Sequence, residues 1–373
     1  MKPAYRMPTR VLFGEGSFRS LRALPALAHA RSVALLTGRR SAEECGTTER
    51  LRASLGGLEI HHFSGVPSHP TPDDLRTFAA HLRGVACEAV IAVGGGSVID
   101  VAKGAAYCCR HGHRPFGIPA MSSGGPLSMI AVPTTAGTGA EVTPFATFWD
   151  LSSKQKLSLD HPSMFPEDAL VDPELTASMP PELTAATGMD ALTQACEAYW
   201  NVNAGPTSDG HALRAVKLLA DGLVRAVRDG QDRSARSDVA LGSLSAGLAF
   251  SNTRTTACHS LSYPMTIHWG VPHGRAVGIT LPEVLALNAA AMDPGPRREA
   301  FCEALGVASI DDGPRRLRGL MTECGVATRL SKLGIDSSGI EVIAREGLRY
   351  DRMGNNPHAF TLDAARELLR SIL

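Results

Sequence analysis

Short apolar runs that end at glycine or proline dominate the first half of the chain. Such runs, rich in Val, Ile and Ala, are typical of parallel strands that are buried on both faces. The predicted strands are 32–37 (SVALLT), 58–63 (LEIHHF), 89–93 (AVIAV) and 129–132 (MIAV). Helices are predicted between them, at 41–55 and at 71–82, where Pro72, Asp73 and Asp74 are typical of a helix start.

Helical periodicity replaces these runs from about Pro180 onward, and strand signals become scarce. The predicted helices are 181–199, 208–228, 236–250 and 340–348. A domain boundary is therefore expected between Pro173 and Pro181, which gives one domain at 1–178 and a second at 179–373.

Composition excludes several partners. Lysine and arginine together number 37, as do aspartate and glutamate, so no net field favours nucleic acid or an anionic membrane. The first residues lack the apolar core of a signal peptide, and no apolar run is long enough to cross a bilayer. The eight cysteines are scattered without a CxxC pair. A soluble, cytoplasmic protein with reduced thiols is expected.

A glycine turn follows the third predicted strand. Gly94, Gly95, Gly96 and Ser97 lie between this strand and the helical sequence VIDVAKGAAY. Free backbone N–H groups and the helix dipole at such a turn favour a bound phosphate, which suggests nucleotide binding. The alternative is a plain tight turn, since the sequence is neither GxGxxG nor a Walker motif. The turn after the first strand, at Gly38, is a further ligand candidate.

A threonine-rich loop follows the fourth predicted strand. In PTTAGTGAEVTPF, Thr134, Thr135 and Thr138 supply hydroxyl groups, and the glycines allow close approach of a ligand. The loop is interpreted as a second wall of the nucleotide site. A purely structural loop is the alternative.

Two stretches of the second half contain metal-ligand patterns. Asp190 and Gln194 are four residues apart in a predicted helix and so share one face. His259 and His273 are fourteen positions apart, roughly 21 Å on an unbroken helix, but Pro264, Gly270 and Pro272 are expected to break the helix between them. The alternatives are an aspartate that meets the helix dipole, a core histidine and an ordinary Pro-His-Gly turn.

Four linked motifs resemble the iron-containing, or group III, alcohol dehydrogenases. They are GGGSVIDVAKG at 94–104, PTTAGTGAEVTPF at 133–145, GMDALTQACEAYW at 188–200 and the segment 259–274. The resemblance implies an α/β dinucleotide-binding domain with a parallel sheet, followed by an all-helical domain, the dehydroquinate synthase-like fold. It also implies NAD(P)H, a divalent metal such as Fe²⁺ or Zn²⁺, a small-molecule aldehyde as substrate and a homodimer.

The resemblance places the metal on Asp190, His259 and His273. Gln194 takes the position where the family has histidine, and an amide oxygen is a poorer ligand for transition metals than imidazole. Three interpretations follow: a weakened but occupied site, a site for a harder ion such as Mg²⁺, or no metal. The first is favoured.

Within the family, SNTRTTACHSLSYP and the Pro-His-Gly motif are most similar to phosphonoacetaldehyde reductases, which act in phosphonate biosynthesis. Arg254 and Arg275 flank the two histidines, and a guanidinium suits a phosphonate dianion, although solvated or structural arginines are the alternative. Lys156 and His268 are further candidates for binding the phosphonate.

Many family members have a second histidine where this chain has Tyr263. Tyr263 or His268 is therefore the candidate proton donor, if metal or arginine lowers the pKa of the phenol; Tyr263 as a packing residue is the alternative. Thr37-Gly38-Arg39-Arg40 lacks the aspartate of many NAD-preferring members, which favours acceptance of NADPH. The residues expected to bind the coenzyme are Gly38, Gly94, Gly95, Gly96, Ser97, Asp100, Thr134, Thr135, Thr138 and Lys156.

The predicted reaction is therefore reduction of a small aldehyde, with phosphonoacetaldehyde as the best candidate. A general alkanal or alcohol dehydrogenase is one alternative. Others are an NAD-using lyase or cyclase on the same scaffold and a non-catalytic ligand-binding protein, which the replacement at Gln194 motivates.

Overall fold

The computed structural model describes residues 4–39, 46–111, 116, 127–292 and 294–373. Contacts divide the chain into two compact units, Met7–Ser178 and Met179–Leu373, and the described residues before Met7 belong to the second unit. Tyr5, for example, donates a hydrogen bond from its hydroxyl to the carbonyl oxygen of Leu248 at 2.9 Å.

The first unit is built on a parallel sheet. In its described part, six strands pair in the order β1-β8-β5-β4-β2-β3, all parallel, and β6 and β7 form a separate antiparallel pair. The strands are β1 Arg10–Phe13, β2 Ser32–Gly38, β3 Glu59–Val66, β4 Ala89–Gly94, β5 Ser128–Pro133, β6 Phe145–Asp150, β7 Gln155–Asp160 and β8 Asp168–Val171.

Helices cover both faces of this sheet, namely α1 Thr47–Ser54, α2 Pro72–Gly84 and α3 Gly96–His111. Side chains of β2 alternate between the two cores: Val33 and Leu35 pack in one, Ala34 and Leu36 in the other. Since β2 lies between β3 and β4, the chain reverses its direction across the sheet there. In open α/β sheets, ligands bind at the carboxyl ends of the strands beside such a reversal.

The predicted α/β class is confirmed, and the four predicted strands are β2 to β5. The sequence pattern missed β1, β8 and the β6–β7 pair. β1 and β8 have only four residues each, and the exposure of β7 alternates with no long apolar run. Residues 41–45 of the predicted helix 41–55 lie outside the described ranges, and in the described part α1 begins at Thr47, directly after Gly46.

The second unit is helical, and its described residues form no strand. Its helices are α4 Pro181–Trp200, α5 Pro206–Arg228, α6 Arg233–Thr253, α7 Ala257–Trp269, α8 His273–Gly278, α9 Leu281–Ala289, α10 Pro296–Leu305, α11 Gly313–Glu323, α12 Ser337–Gly347 and α13 Leu362–Ser371. Helix α4 is buried along almost its whole length and so forms the core of this unit.

The expected break between His259 and His273 occurs later than Pro264. Helix α7 continues through Pro264 and ends at Gly270, whose φ of 64° is the left-handed conformation that favours glycine at a helix end. Pro272 then precedes α8, which begins at His273. Two separate helices, rather than one kinked helix, thus carry the two histidines.

Candidate metal centre and nucleotide cradle

The glycine turn of the first unit joins β4 to the start of α3. Gly94 ends β4 and Gly96 begins α3. A Cβ atom on Gly95 would lie 3.2 Å from Thr135 Oγ1, and one on Gly96 would lie 2.5 Å from Thr138 Oγ1. Only glycine therefore lets the turn and the threonine loop approach this closely, and the two predicted walls are in direct contact.

Hydrogen bonds and strand positions locate four other predicted coenzyme residues. Thr134 donates its N–H to the Gly94 carbonyl oxygen at 3.0 Å, and Ser97 donates its hydroxyl to Ser68 O at 2.6 Å. Gly38 ends β2, at the same edge of the sheet as Gly94. Lys156 lies on β7, opposite Trp149 of β6.

The carboxylate of Asp100, which is predicted to bind the coenzyme, has protein partners. One oxygen lies 3.2 Å from Lys103 Nζ, and the other accepts the N–H of Thr147 at 2.8 Å. Of the two arginines that suggested NADPH, Arg39 donates from Nε to Gly65 O at 3.3 Å, and Arg40 lies outside the described residues.

Glu141, two residues after Gly139 in the threonine-rich loop, is buried, with 4% of its surface exposed. Burial raises the pKa of its carboxyl to about 7, although its own backbone N–H and the Lys103 ammonium favour the ionised form. This acid was not expected from the sequence, where it reads only as part of the loop.

Three of the predicted metal ligands converge in the second unit. Asp190, His259 and His273 each offer one ligand atom, and these atoms lie within 4.8 Å of one another. His259 Nε2 is 3.4 Å from Asp190 Oδ1, and the two imidazole centroids are 5.5 Å apart. A Cβ on Gly274 would lie 2.0 Å from Ala186 O, so the glycine after His273 lets α8 approach α4 at Asp190.

Glu197 orients His259, and sequence reasoning missed this residue. Its carboxylate is fully buried and accepts a 2.5 Å hydrogen bond from His259 Nδ1. The other oxygen accepts the Thr256 hydroxyl at 3.0 Å and the Cys258 N–H at 2.7 Å, which caps the start of α7. Since Nδ1 carries the shared proton, Nε2 is left to face Asp190 and any metal.

The donor set fits a cation. Burial disfavours a charged imidazole, but the Glu197 and Asp190 carboxylates outweigh this and raise the pKa of His259 to about 9. Two buried carboxylates around one imidazole thus require positive charge, which a metal ion can supply in place of a proton. Gln194 Oε1 is also buried and accepts no hydrogen bond from the described residues, as expected for an oxygen left for an ion.

Tyr263 lies one helical turn beyond His259. Its ring stacks on His273 with centroids 5.9 Å apart, and the Tyr350 ring meets its edge at 4.7 Å. Burial raises the pKa of Tyr263 to about 12, against the opposing charge of Arg352. Burial therefore raises the pKa of Tyr263, whereas the sequence analysis considered a lowered one. The phenol is protonated at neutral pH.

Arg254 has an unusual backbone conformation, with φ 72° and ψ −178°. Its carbonyl oxygen accepts the side-chain N–H of Asn201 at 3.1 Å, and that of Thr255 accepts Asn355 Nδ2 at 3.0 Å. Strain of this kind persists only where neighbours hold it, and it is common at ligand sites. The Asn-Asn-Pro motif at 355–357 contributes one of these restraints.

Two further predicted residues, His268 and Arg275, are paired with glutamates. His268 is nine residues after His259 on α7, which places it on the opposite face of the helix, where Nε2 is 2.9 Å from Glu346 Oε2. Arg275 Nη2 is 3.3 Å from the exposed carboxylate of Glu182. Each of these side chains thus has an acidic protein partner, and their predicted roles in proton relay and anion binding stay predictions.

Comparison with known families covers both units. The model of iron-containing alcohol dehydrogenases matches residues 8–173, and that of the C-terminal part of the Fe-containing alcohol dehydrogenase family matches 184–373. The chain belongs to the iron-containing alcohol dehydrogenase family. It is accordingly an NAD(P)-dependent alcohol dehydrogenase or aldehyde reductase.

Individual relatives in this dehydrogenase family span most of the chain. A phosphonoacetaldehyde reductase of Streptomyces viridochromogenes is 34% identical over 80% of both chains. Long-chain-alcohol dehydrogenase 1 of Geobacillus thermodenitrificans is 34% identical over 80% of this chain and 78% of its own. The crystal structure of a sulfoacetaldehyde reductase from Bifidobacterium kashiwanohense with NAD⁺ has a TM-score of 0.91 at 31% identity, and covers 100% of this chain and 99% of that one.

Membership of the alcohol dehydrogenase family supports NAD(P)H and a divalent metal as cofactors, and the donor set at Asp190 fits such a metal. None of the described helices is long and apolar enough to cross a bilayer.

Replacing Glu197 by glutamine is expected to weaken Zn²⁺ binding about 10- to 100-fold, because a neutral amide fixes and polarises the His259 ring less well. Affinity is measured by competition with a fluorescent chelator. Glu346→Gln is the matched control, since Glu346 binds His268 on the other face of α7. Equal affinities of the wild type and Glu197→Gln would contradict the orienting role.

Replacing Gln194 by histidine is expected to tighten Zn²⁺ binding about tenfold or more, because imidazole is the better donor to transition metals. Equilibrium dialysis followed by metal analysis measures the change. Gln194→Leu keeps the bulk without a donor and should bind more weakly than the wild type. A leucine variant with unchanged affinity would show that the amide is not a ligand.

Glu141→Gln is expected to alter the pH dependence of stability. The folded pKa of about 7 lies above the unfolded value of about 4.5, so the folded state holds the extra proton between them. The contribution of Glu141 to stability is therefore full below about pH 4.5 and falls by up to about 3 kcal/mol as pH rises through 7. Urea unfolding across this range should show that loss disappear in Glu141→Gln, but persist when exposed Glu49 is replaced.

Proposed function

We propose that this chain reduces a small aldehyde with an acidic head group, and that phosphonoacetaldehyde, giving 2-hydroxyethylphosphonate, is the leading substrate. The convergence of Asp190, His259 and His273 carries the proposal of metal-assisted carbonyl reduction. The acidic head group is supported by the names of two relatives, a phosphonoacetaldehyde reductase and a sulfoacetaldehyde reductase. Both names denote two-carbon aldehydes that carry an anion.

The residues at the metal centre have separate tasks in this proposal. Asp190, His259 and His273 hold the ion, and Gln194 adds its amide oxygen. A bound divalent ion supplies Lewis acidity towards a carbonyl oxygen. Glu197 keeps the Nδ1 proton of His259 and so fixes which ring nitrogen is the donor.

Tyr263 is proposed to act as a hydrogen-bond donor beside the carbonyl. Its hydroxyl stays protonated because burial raises the pKa to about 12. A neutral phenol can donate its O–H as a hydrogen bond to a carbonyl oxygen. The stacked His273 ring fixes its place relative to a metal ligand.

An acidic head group requires cationic partners, and three arginines are considered for this role. Arg275 already pairs with Glu182. Arg254 is held in a strained conformation five residues before His259. Arg352 is close enough to Tyr263 to oppose its raised pKa, and it pairs with the exposed carboxylate of Asp351 at 3.0 Å. Arg254, which is close in sequence to His259, and Arg352, which is near Tyr263, are the arginines proposed to bind the anion.

The coenzyme is proposed to bind with its phosphates at Gly94–Gly96, at the end of β4 and the start of α3. Use of NADPH is part of this proposal, because Arg39 at the end of β2 replaces a carboxylate that would repel a 2′-phosphate. A homodimer and a cytoplasmic location are further parts of it.

The central test measures NAD(P)H consumption with phosphonoacetaldehyde, sulfoacetaldehyde, butanal and octanal. We expect the two anionic aldehydes to give the higher kcat/KM, because fixed guanidinium groups bind the acidic head group. Long-chain-alcohol dehydrogenase 1 supports the second candidate, a general alkanal reductase. A strong preference for butanal or octanal would favour that candidate and overturn the acidic substrate. No net consumption with any aldehyde would point to a lyase or a binding protein.

The arginine assignment is tested in the same assay. Arg254→Met is expected to raise KM for phosphonoacetaldehyde about 10- to 100-fold and to leave that for butanal unchanged, because only the anion loses a partner. Arg275→Met is the control, since its guanidinium is paired with Glu182. Equal effects of the two substitutions would contradict the assignment.

A further inference from the structure

Lys103 is a buried cation that no part of the proposed reaction uses. It lies on α3, with only 1% of its surface exposed. Its Nζ donates to Ala140 O at 2.9 Å and to Thr143 O and Oγ1 at 3.3 Å, and is 3.2 Å from Asp100 Oδ1. An ammonium group is costly to bury unless oxygen atoms surround it. These contacts therefore stabilise the buried side chain of Lys103.

These contacts join the two walls of the nucleotide cradle. Helix α3 starts in the glycine turn at Gly96, whereas Ala140 and Thr143 lie near the far end of the threonine loop. At its other end the loop is held by the bond from Thr134 N to Gly94 O, at 3.0 Å. The loop is therefore fastened to the turn and its helix at both ends, by a backbone bond and by Lys103.

Asp100 extends the connection to the next strand. It pairs with Lys103, and its second oxygen accepts the N–H of Thr147 in β6 at 2.8 Å. The chain from the threonine loop into β6 is thus attached to one turn of α3. Without the ammonium, the Asp100 carboxylate would lose its cationic partner, and the loop would lose its attachment at Ala140.

Little tolerance is left between the walls. A Cβ on Gly96 would already lie 2.5 Å from Thr138 Oγ1, so a small shift of the loop changes which groups face a phosphate at the turn. A small displacement of one wall is enough to weaken a phosphate site that is built from donors on both walls.

We propose that Lys103 is a positioning residue for the dinucleotide, whose ammonium holds the threonine loop against the glycine turn so that both bind the same phosphates. This role rests on the proposed use of NAD(P)H. Lys103 does not itself contact the coenzyme in this proposal.

The test compares the dissociation constants of NADPH and NADH, by fluorescence titration of the full chain, with its melting temperature. For whichever coenzyme the wild type binds more tightly, Lys103→Met is expected to raise the dissociation constant about tenfold or more. KM for the aldehyde should stay unchanged. Thr143→Val removes a single acceptor and should give a smaller rise, about two- to threefold, in a protein that stays folded.

Arg10→Met provides a control for general loss of stability. Arg10 pairs with fully buried Asp168 where β1 and β8 begin, at the edge of the sheet opposite Gly94. This variant should melt earlier and bind coenzyme normally. If Lys103→Met and Thr143→Val lower only the melting temperature, as Arg10→Met does, the positioning role is wrong although the proposed function stands. If the wild type binds neither coenzyme, the proposed function fails and the inference fails with it.

Discussion

The buried carboxylate of Glu197 is the interaction on which the metal centre depends. It lies on α4 and binds the start of α7 through Thr256, Cys258 and the His259 ring. One side chain therefore sets where α7 begins and which imidazole nitrogen faces Asp190. A charge this deeply buried is stable only because backbone N–H groups, a hydroxyl and an imidazole all donate to it. The same side chain, Glu197, thus joins α4 to α7 and orients the His259 ring.

The cradle in the other unit depends on close approach rather than on charge. Gly95 and Gly96 remove the side chains that would hold the threonine loop away, and the loop hydroxyls fill the space. Contacts at this distance need a rigid frame, which the parallel pairing of β4 with β5 provides up to Gly94 and Pro133. The same glycines therefore serve packing and ligand approach, which is why a tight turn and a phosphate site could not be distinguished by sequence alone.

The sequence predicted features that leave a local pattern. Strands such as β2 and β4 are continuous apolar runs, and Asp190 and Gln194 share a face through simple helical spacing. It could not predict that α7 would continue through Pro264, because tertiary contacts decide whether a helix survives a proline. Glu197 extends the spacing of Asp190 and Gln194 by three residues, a signal that was present and missed. Arg352 reaches Tyr263 only through the fold, so no local pattern could have identified it.

Gln194 affects the strength of the metal centre more than its charge. Histidine and glutamine are both neutral as ligands, so a glutamine at this position leaves the two carboxylates, Asp190 and Glu197, with the same demand for a cation. The two carboxylates outweigh burial and raise the pKa of His259 to about 9, which indicates the same demand for positive charge. A weaker donor at Gln194 makes the ion easier to lose, whereas the buried charges continue to require one. These buried charges are consistent with the weakened but occupied site that the sequence favours, and that interpretation stays a prediction.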